Sequence, residues 1–136
     1  MTGIASNKGL NIGLWAAAVL LAAAYGMFGF MKMTQSMDQL AVMMKWVPGF
    51  PVWFVRSLGL LEVLGAIGLI LPSLTRIQPR LTVLAALCIV LHQICAVLLH
   101  ASRGEFNVLG LNAVLIALAA FIYWGRSKKV IILPKV

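Results

Sequence analysis

Acidic residues are almost absent from this chain. Asp38, Glu62 and Glu105 are its only carboxylate side chains, against eleven lysines and arginines, and charged residues make up 10% of its 136 positions. A soluble domain is about 25% charged and about 45–50% apolar. This chain is 62% apolar, with a mean hydropathy of +1.03. A water-soluble fold of this length cannot hide so much apolar surface, so the chain is expected in a bilayer. Cysteine is scarce too. Cys88 and Cys95 lie seven residues apart in one apolar run, with no CxxC pair. On one helix their Cα atoms would stand roughly 10 Å apart, too far for a disulfide. We read them as small core residues. There is no nucleotide-binding motif, no pair of haem-ligating histidines, no complete metal set, no internal repeat and no low-complexity segment. The net charge of +8 does not point to nucleic acid, because the basic residues sit between apolar runs. Positive loops at one membrane surface explain them.

Four apolar runs are present, each near the ~20 residues a spanning helix needs: about 12–31, 51–71, 79–99 and 105–124. They predict a single all-α transmembrane domain over 1–136, an antiparallel four-helix bundle with short loops. The first run follows Lys8 as a signal peptide would, but it is too long for a signal h-region. It is rich in alanine and glycine, which lets membrane helices approach closely. After it, Ser36-Met37-Asp38-Gln39 fits a capping box. Met33, Met37, Leu40 and Met44 recur at helical spacing, so a short amphipathic helix is expected in the interface, and a methionine-lined lid over a ligand entrance is its sharper reading. Pro48, Gly49 and Pro51 break the chain before the second run, and Pro72 is expected to end it. Ser102-Arg103-Gly104-Glu105 has S-x-x-E capping chemistry, and Gly125 is the expected C-cap of the last span.

With four spans both termini share a side. Lys8, Arg76, Arg80, Arg126, Lys128, Lys129 and Lys135 fall there, and Lys32, Lys45 and Arg103 opposite. The positive-inside rule then puts both termini in the cytoplasm, in a cell membrane of bacterial inner-membrane type.

An ionisable side chain within a span costs roughly 2.5–3.5 kcal/mol on insertion scales, and each one needs a reason. Glu62 falls ~16 Å below Pro51, near the midplane of a ~30 Å core. Gly59, Gly65 and Ala66 flank it at helical spacing, a small-residue stripe expected to face another helix. Its carboxyl is a candidate proton carrier or ligand anchor, or else a structural clamp between helices. Arg56 points about 120° away from Glu62 on the same helix. It is expected to snorkel outward or to meet Glu105 or Asn112. His92 falls near the depth of Glu62 and is a candidate partner of that carboxyl or of a ligand. It shares one helical face with Cys88 and Cys95, a weak soft-metal pattern with no second cluster to complete it; no metal site is expected. Gln93 points away from His92, so only one of the two needs to face the core. His100, with Arg56, Glu105, Asn107 and Asn112, is expected to form a polar mouth above Glu62.

The stretch Arg56-Ser57-Leu58-Gly59-Leu60-Leu61-Glu62-Val63-Leu64-Gly65 running to Leu71-Pro72, and the H-x-x-x-G-E turn His100-Ala101-Ser102-Arg103-Gly104-Glu105, resemble the DoxX-like family of small four-helix membrane proteins. The resemblance runs from about Tyr25 to Arg126. That family is similar to the membrane subunit of a thiosulfate:quinone oxidoreductase, which implies electron transfer to quinone, and distantly similar to animal chaperones of nicotinic receptors, which are not enzymes. It brings no catalytic motif with it. Only Glu62, His100 and Glu105 fall on recognisable family positions, and Cys88 and Cys95 belong to no motif of the family, which argues against thiol redox chemistry.

The first functional expectation is a redox-associated subunit that has no intrinsic cofactor and binds a quinone or similar lipophilic molecule. Arg56, Glu62, His92, Glu105 and Asn112 are its candidate ligand-binding residues. The second is a non-enzymatic scaffold or assembly factor. The third is a stand-alone acid–base enzyme on a lipophilic substrate, with Glu62 and His100 as candidate catalytic residues. A channel is disfavoured, because one midplane acid gives no continuous polar stripe. Expected partners are the bilayer, a soluble or membrane redox protein, and, in a homo-oligomer, further copies of the chain. The quinone reading requires an apolar tunnel reaching Glu62.

Overall fold

The computed structural model describes residues 7–135, and every regular element in them is helical. In order these are α1 (Lys8–Thr34), α2 (Met37–Met43), a 3-10 turn at Val47–Gly49, α3 (Val52–Thr75), α4 (Arg80–Ser102), a 3-10 turn at Phe106–Val108, α5 (Leu109–Trp124) and a π-helical turn at Gly125–Lys129. Four helical segments are long and apolar enough to cross a membrane. Large apolar side chains lie on their outer surfaces, such as Leu20, Phe30, Leu61 and Leu98, each more than 60% exposed. Water would not tolerate that surface; lipid does.

α1 packs against α3 and α5, α3 against α4, and α4 against α5. The core between them is built from Leu21 and Tyr25 of α1, Ala66 and Leu69 of α3, Ala86 and Ile89 of α4, and Leu115, Ala119 and Ile122 of α5. Small residues set the closest approach. A Cβ added to Gly29 would lie 2.7 Å from the carbonyl oxygen of Gly59, and a Cβ on Gly59 would lie 2.7 Å from that of Gly29. The two backbones touch there, and only glycine at both positions permits it.

Pro72 does not end α3. The helix runs on to Thr75, and Arg76 stops it by taking a left-handed conformation (φ 60°). A proline inside a helix frees the carbonyl four residues earlier, here that of Gly68. The Thr82 hydroxyl of α4 donates to that oxygen at 3.1 Å, and the Ser73 hydroxyl donates to Thr82 Oγ1 at 2.7 Å. The break is repaired from the neighbouring helix, as membrane helices allow. Thr82→Val should therefore cost about 1–3 kcal/mol, read as a lower unfolding midpoint, whereas Thr82→Ser should cost far less.

Two other termini depart from expectation. The S-x-x-E cap does not form: Ser102 Oγ donates back to the Leu99 carbonyl at 2.7 Å, and α4 continues through Ser102. Gly104, at φ 73°, then takes the left-handed turn that a side chain resists. Gly125 follows α5 in right-handed conformation, and the chain continues into the π turn rather than stopping. The Ser36–Gln39 capping box does form, with both reciprocal bonds in place.

The two ends of the molecule are tied differently. At the end holding the start of α1, Arg126 donates to Asn11 Oδ1 at 2.7 Å, and Arg76 donates to the Leu133 carbonyl at 2.9 Å. At the other end, Leu40 of α2 is fully buried with Val47 and Val55, and Met37 and Met44 pack beside it. The apolar face of α2 is thus covered largely by protein.

Candidate functional site

One cavity of about 430 Å³ opens among α1, α3, α4, α5 and the segment after α2. Its upper wall is apolar and aromatic, from Met43, Met44, Trp46, Phe50, Phe54 and Leu58. Phe50 stacks on Phe54 at 4.9 Å between ring centroids, and Trp46 meets Phe50 edge-on at 5.5 Å. His100, Glu105 and Asn107 line its outer rim. Its floor is polar and made of two separate clusters.

The first cluster is a buried ion pair. Lys32 Nζ donates to Glu62 Oε1, with both side chains under 9% exposed. The position follows from packing: the Lys32 stem lies against Gly59 and Glu62 against Gly29, so both side chains are held in the close crossing of α1 and α3 and the long lysine stem spans the gap to the carboxylate. Trp46 and Phe28 place their ring centroids 5.7 and 6.0 Å from Lys32 Nζ, within cation–π range. Glu62 Oε2 has no hydrogen-bond partner among the described residues and is not sealed in the interior. Arg56 reinforces the same turn by donating to the Lys32 carbonyl at 2.7 Å.

The second cluster is a chain of four side chains. Asn112 Nδ2 donates to Gln93 Oε1 at 2.6 Å, Gln93 Nε2 donates to the Tyr25 hydroxyl at 2.6 Å, and that hydroxyl lies 2.7 Å from His92 Nδ1. The hydroxyl accepts from Gln93 and either donates to Nδ1 or accepts a second hydrogen bond from it, according to the tautomer of His92. His92 Nε2 bonds to nothing among the described residues, and is a donor in the first case and an acceptor in the second. Asn112 Oδ1, at the other end, is buried and has no partner.

All five ligand-binding candidates are placed by these contacts, though not always as the spacing suggested. Glu62, His92, Glu105 and Asn112 line the cavity. Glu62 pairs with Lys32 and His92 with Tyr25, so no direct Glu62–His92 bond forms. Arg56 reaches the Lys32 carbonyl rather than Glu105 or Asn112, and it does not line the cavity. Glu62 and His100 share the cavity, but each bonds elsewhere. Gln93 is more deeply buried than His92, and both meet Tyr25. The inward face of α4 is Thr82, Ala86, Ile89 and Gln93, one residue offset from the expected Cys88–His92–Cys95 face. Both cysteines are exposed rather than core, and Cys95 lines the cavity beside Ala96. No three metal-binding side chains cluster among the described residues.

Lys32 is the cavity residue the spacing argument missed, counted there as a surface charge just beyond the first span. A signal was available. The buried stripe of α1 runs Leu14, Ala18, Leu21, Tyr25, Gly29 and Lys32, so the lysine continues a core face.

At the rim His100 Nδ1 lies 2.9 Å from Glu105 Oε1, and Arg103 Nε donates to Glu105 Oε2 at 3.3 Å. The hydrogen bond with His100, and then the charge of Arg103, outweigh partial desolvation and hold the Glu105 carboxyl below its ordinary value. A depressed carboxyl stabilises the fold above its unfolded pKa and loses that contribution as pH falls through the folded value. Acidification below the usual carboxylate range should therefore speed amide exchange in the 102–106 turn. Glu105→Gln should already show the fast exchange at neutral pH and lose the acid dependence.

The family model described as the DoxX-like family matches residues 16–122. No curated protein and no solved structure gives a significant match to the chain. The matched span holds both floor clusters, the rim, the second and third apolar helices whole and most of the first and last, and it covers most of the sequence. The chain is a multi-pass membrane protein that belongs to the DoxX-like family.

Proposed function

We propose that this protein is a redox-associated membrane subunit that binds a quinone or similar lipophilic molecule in the cavity between its helices. The observation that carries the reading is an apolar, aromatic wall descending to a floor with Lys32–Glu62 on one side and His92 on the other. The volume of about 430 Å³ falls in the range of small-molecule sites, which are mostly apolar with a few placed polar groups. Lys32 and, in its Nε2–H tautomer, His92 are donors for head-group oxygens. Glu62 is the group that takes or supplies a proton. The electrons come from a soluble or membrane redox partner.

In this reading the helices form an antiparallel bundle in a bacterial inner membrane, with α2 at the outer interface. Both termini are cytoplasmic. Removing the buried Lys32 and Arg126 from the surface charges leaves six basic side chains at the end of the termini against Lys45 and Arg103 at the other, which supports that orientation. The cavity then opens in the outer half of the bilayer.

Native mass spectrometry on gently purified protein, with extraction of bound lipophiles, tests the reading. The comparison is the parent against Ala96→Phe, which fills the cavity and leaves the polar floor untouched. A small lipophile held by the parent and lost from an equally stable variant is the expected result. A parent that retains none would contradict it and favour a scaffold or assembly role.

A further inference from the structure

We propose that the end of the bundle holding the start of α1 carries a binding site for a phosphate group, supplied by the head of an anionic phospholipid, with Arg126 at its centre. The site shares no residue with the cavity above and does not rest on the lipophile reading.

A counter-charge is missing at this end. The chain has three carboxylate side chains. Glu62 pairs with Lys32, Glu105 pairs with His100 and Arg103, and Asp38 sits in the first turn of α2 at the other end. None is left for Arg126, which is only 5% exposed. A buried charge without a partner is costly.

Half of the guanidinium is already committed. Nη1 donates both its hydrogens, to Asn11 Oδ1 at 2.7 Å and to the Val130 carbonyl at 3.2 Å. Trp15 places its ring centroid 5.4 Å from Cζ, within cation–π range. Nε–H and Nη2–H bond to nothing among the described residues. These two groups lie side by side on one edge, the fork that matches two oxygens of a phosphate.

A pocket of about 40 Å³ opens against Arg126. Room for roughly three water-sized groups suits the oxygens of one phosphate and not a whole head group. Arg80, exposed at the start of α4, lines the pocket as a second cation, and Val83, Ile131 and Ile132 give it apolar walls. Low-polarity walls strengthen a charge pair. The segment that carries Ile131 and Ile132 is pinned to this end through Arg76, which donates to the Leu133 carbonyl and accepts from the Lys135 amide at 2.8 Å. Trp124, Ile131 and Leu133 are exposed beside these cations. A phosphate attached to acyl chains reaches Arg126 while those side chains stay in lipid, and basic pockets between membrane helices recur as anionic-lipid sites. Lys128 and Lys129, both exposed, repel the choline of a zwitterionic head.

Native mass spectrometry of the full-length protein, titrated in detergent with dioleoyl phosphatidylglycerol or dioleoyl phosphatidylcholine, reads the preference. One phosphatidylglycerol per chain should bind about tenfold or more tightly than phosphatidylcholine. Val83→Phe fills the pocket, leaves every charge in place and should remove the preference. Lys128→Gln/Lys129→Gln removes two exposed charges, leaves the pocket open and should keep it. If Val83→Phe lowers the unfolding midpoint, Arg80→Gln, at an exposed position, serves as the pocket variant and should weaken phosphatidylglycerol several-fold. Phosphatidylglycerol should also raise the unfolding midpoint of the parent, and millimolar inorganic phosphate added in phosphatidylcholine should not. Equal binding of the two lipids overturns the proposal. So does a preference lost in Lys128→Gln/Lys129→Gln and kept in Val83→Phe, which is attraction to a diffuse basic surface. A midpoint raised as much by inorganic phosphate as by phosphatidylglycerol gives the pocket to a soluble phosphate and overturns the lipid assignment.

Discussion

Lys32→Met should destabilise the protein by about 3–5 kcal/mol, the cost of removing one partner from a buried ion pair. Glu62 would be left near mid-helix with no counter-charge, since its only ion-pair partner among the described residues is Lys32. Its surroundings on α1 are Gly29 and apolar side chains, and Arg56 is committed to the Lys32 carbonyl. Glu62→Met should cost a similar amount by stranding Lys32. The double variant Lys32→Met/Glu62→Met should recover most of the loss, because well-packed apolar residues often replace a buried pair with little or no penalty. Unfolding midpoints in detergent measure all three. The pattern of two large losses and one recovery separates a charge pair from simple packing. Recovery of stability without recovery of lipophile retention would also assign the pair to the ligand rather than to the fold, since a residue kept only for stability is dispensable in the double variant.

Gly59→Leu should be at least as damaging. Its Cβ would lie 2.7 Å from the Gly29 carbonyl oxygen, 2.8 Å from Lys32 Cβ and 3.1 Å from Met33 Cγ. The first two are backbone and stem atoms that cannot swing aside, so α1 and α3 must separate. Overpacking of a core commonly costs about 1–3 kcal/mol, and the immovable neighbours put this case at the upper end or above. The separation also pulls Lys32 away from Glu62, because one close crossing sets both contacts. Ligand retention should fall with stability. Gly110→Leu is the matched control. A Cβ there meets nothing within 4 Å, so its midpoint should stay near that of the parent.

Much of the fold was legible in the sequence because the membrane imposes length and polarity rules on each run separately. Four runs of about 20 apolar residues can be read without knowing how they pack. The same is true of the Ser36–Gln39 cap, which is local. What the sequence left open was everything decided between helices. Pro72 looked like a stop because local rules make it one, yet Thr82 on the next helix supplies the bond that lets α3 continue. Lys32 looked like a surface charge because it borders an apolar run, yet Glu62 and the glycine crossing draw it inside. The face of α4 was misjudged by one residue, which is about 100° of rotation. Gln93, which the spacing left open against His92, sits at the centre of the polar chain, and Cys88 and Cys95 are exposed rather than core, Cys95 along the cavity. Glu62 was identified correctly as a residue needing a partner, because the cost of its burial is independent of the partner's identity.

The central claim is that a lipophile occupies the cavity above Lys32–Glu62, rather than only the outer, lipid-facing surface. Photolabelling in native-like membranes with a diazirine-bearing alkyl phenol, mapped by peptide mass spectrometry, tests it most directly. The account predicts saturable labels concentrated on cavity-lining residues such as Phe54, Leu58, Ala96 and Leu99, and suppressed in Ala96→Phe. Labels spread over outward side chains such as Leu20, Leu61 and Leu98, unsaturable and unchanged by that variant, would contradict it.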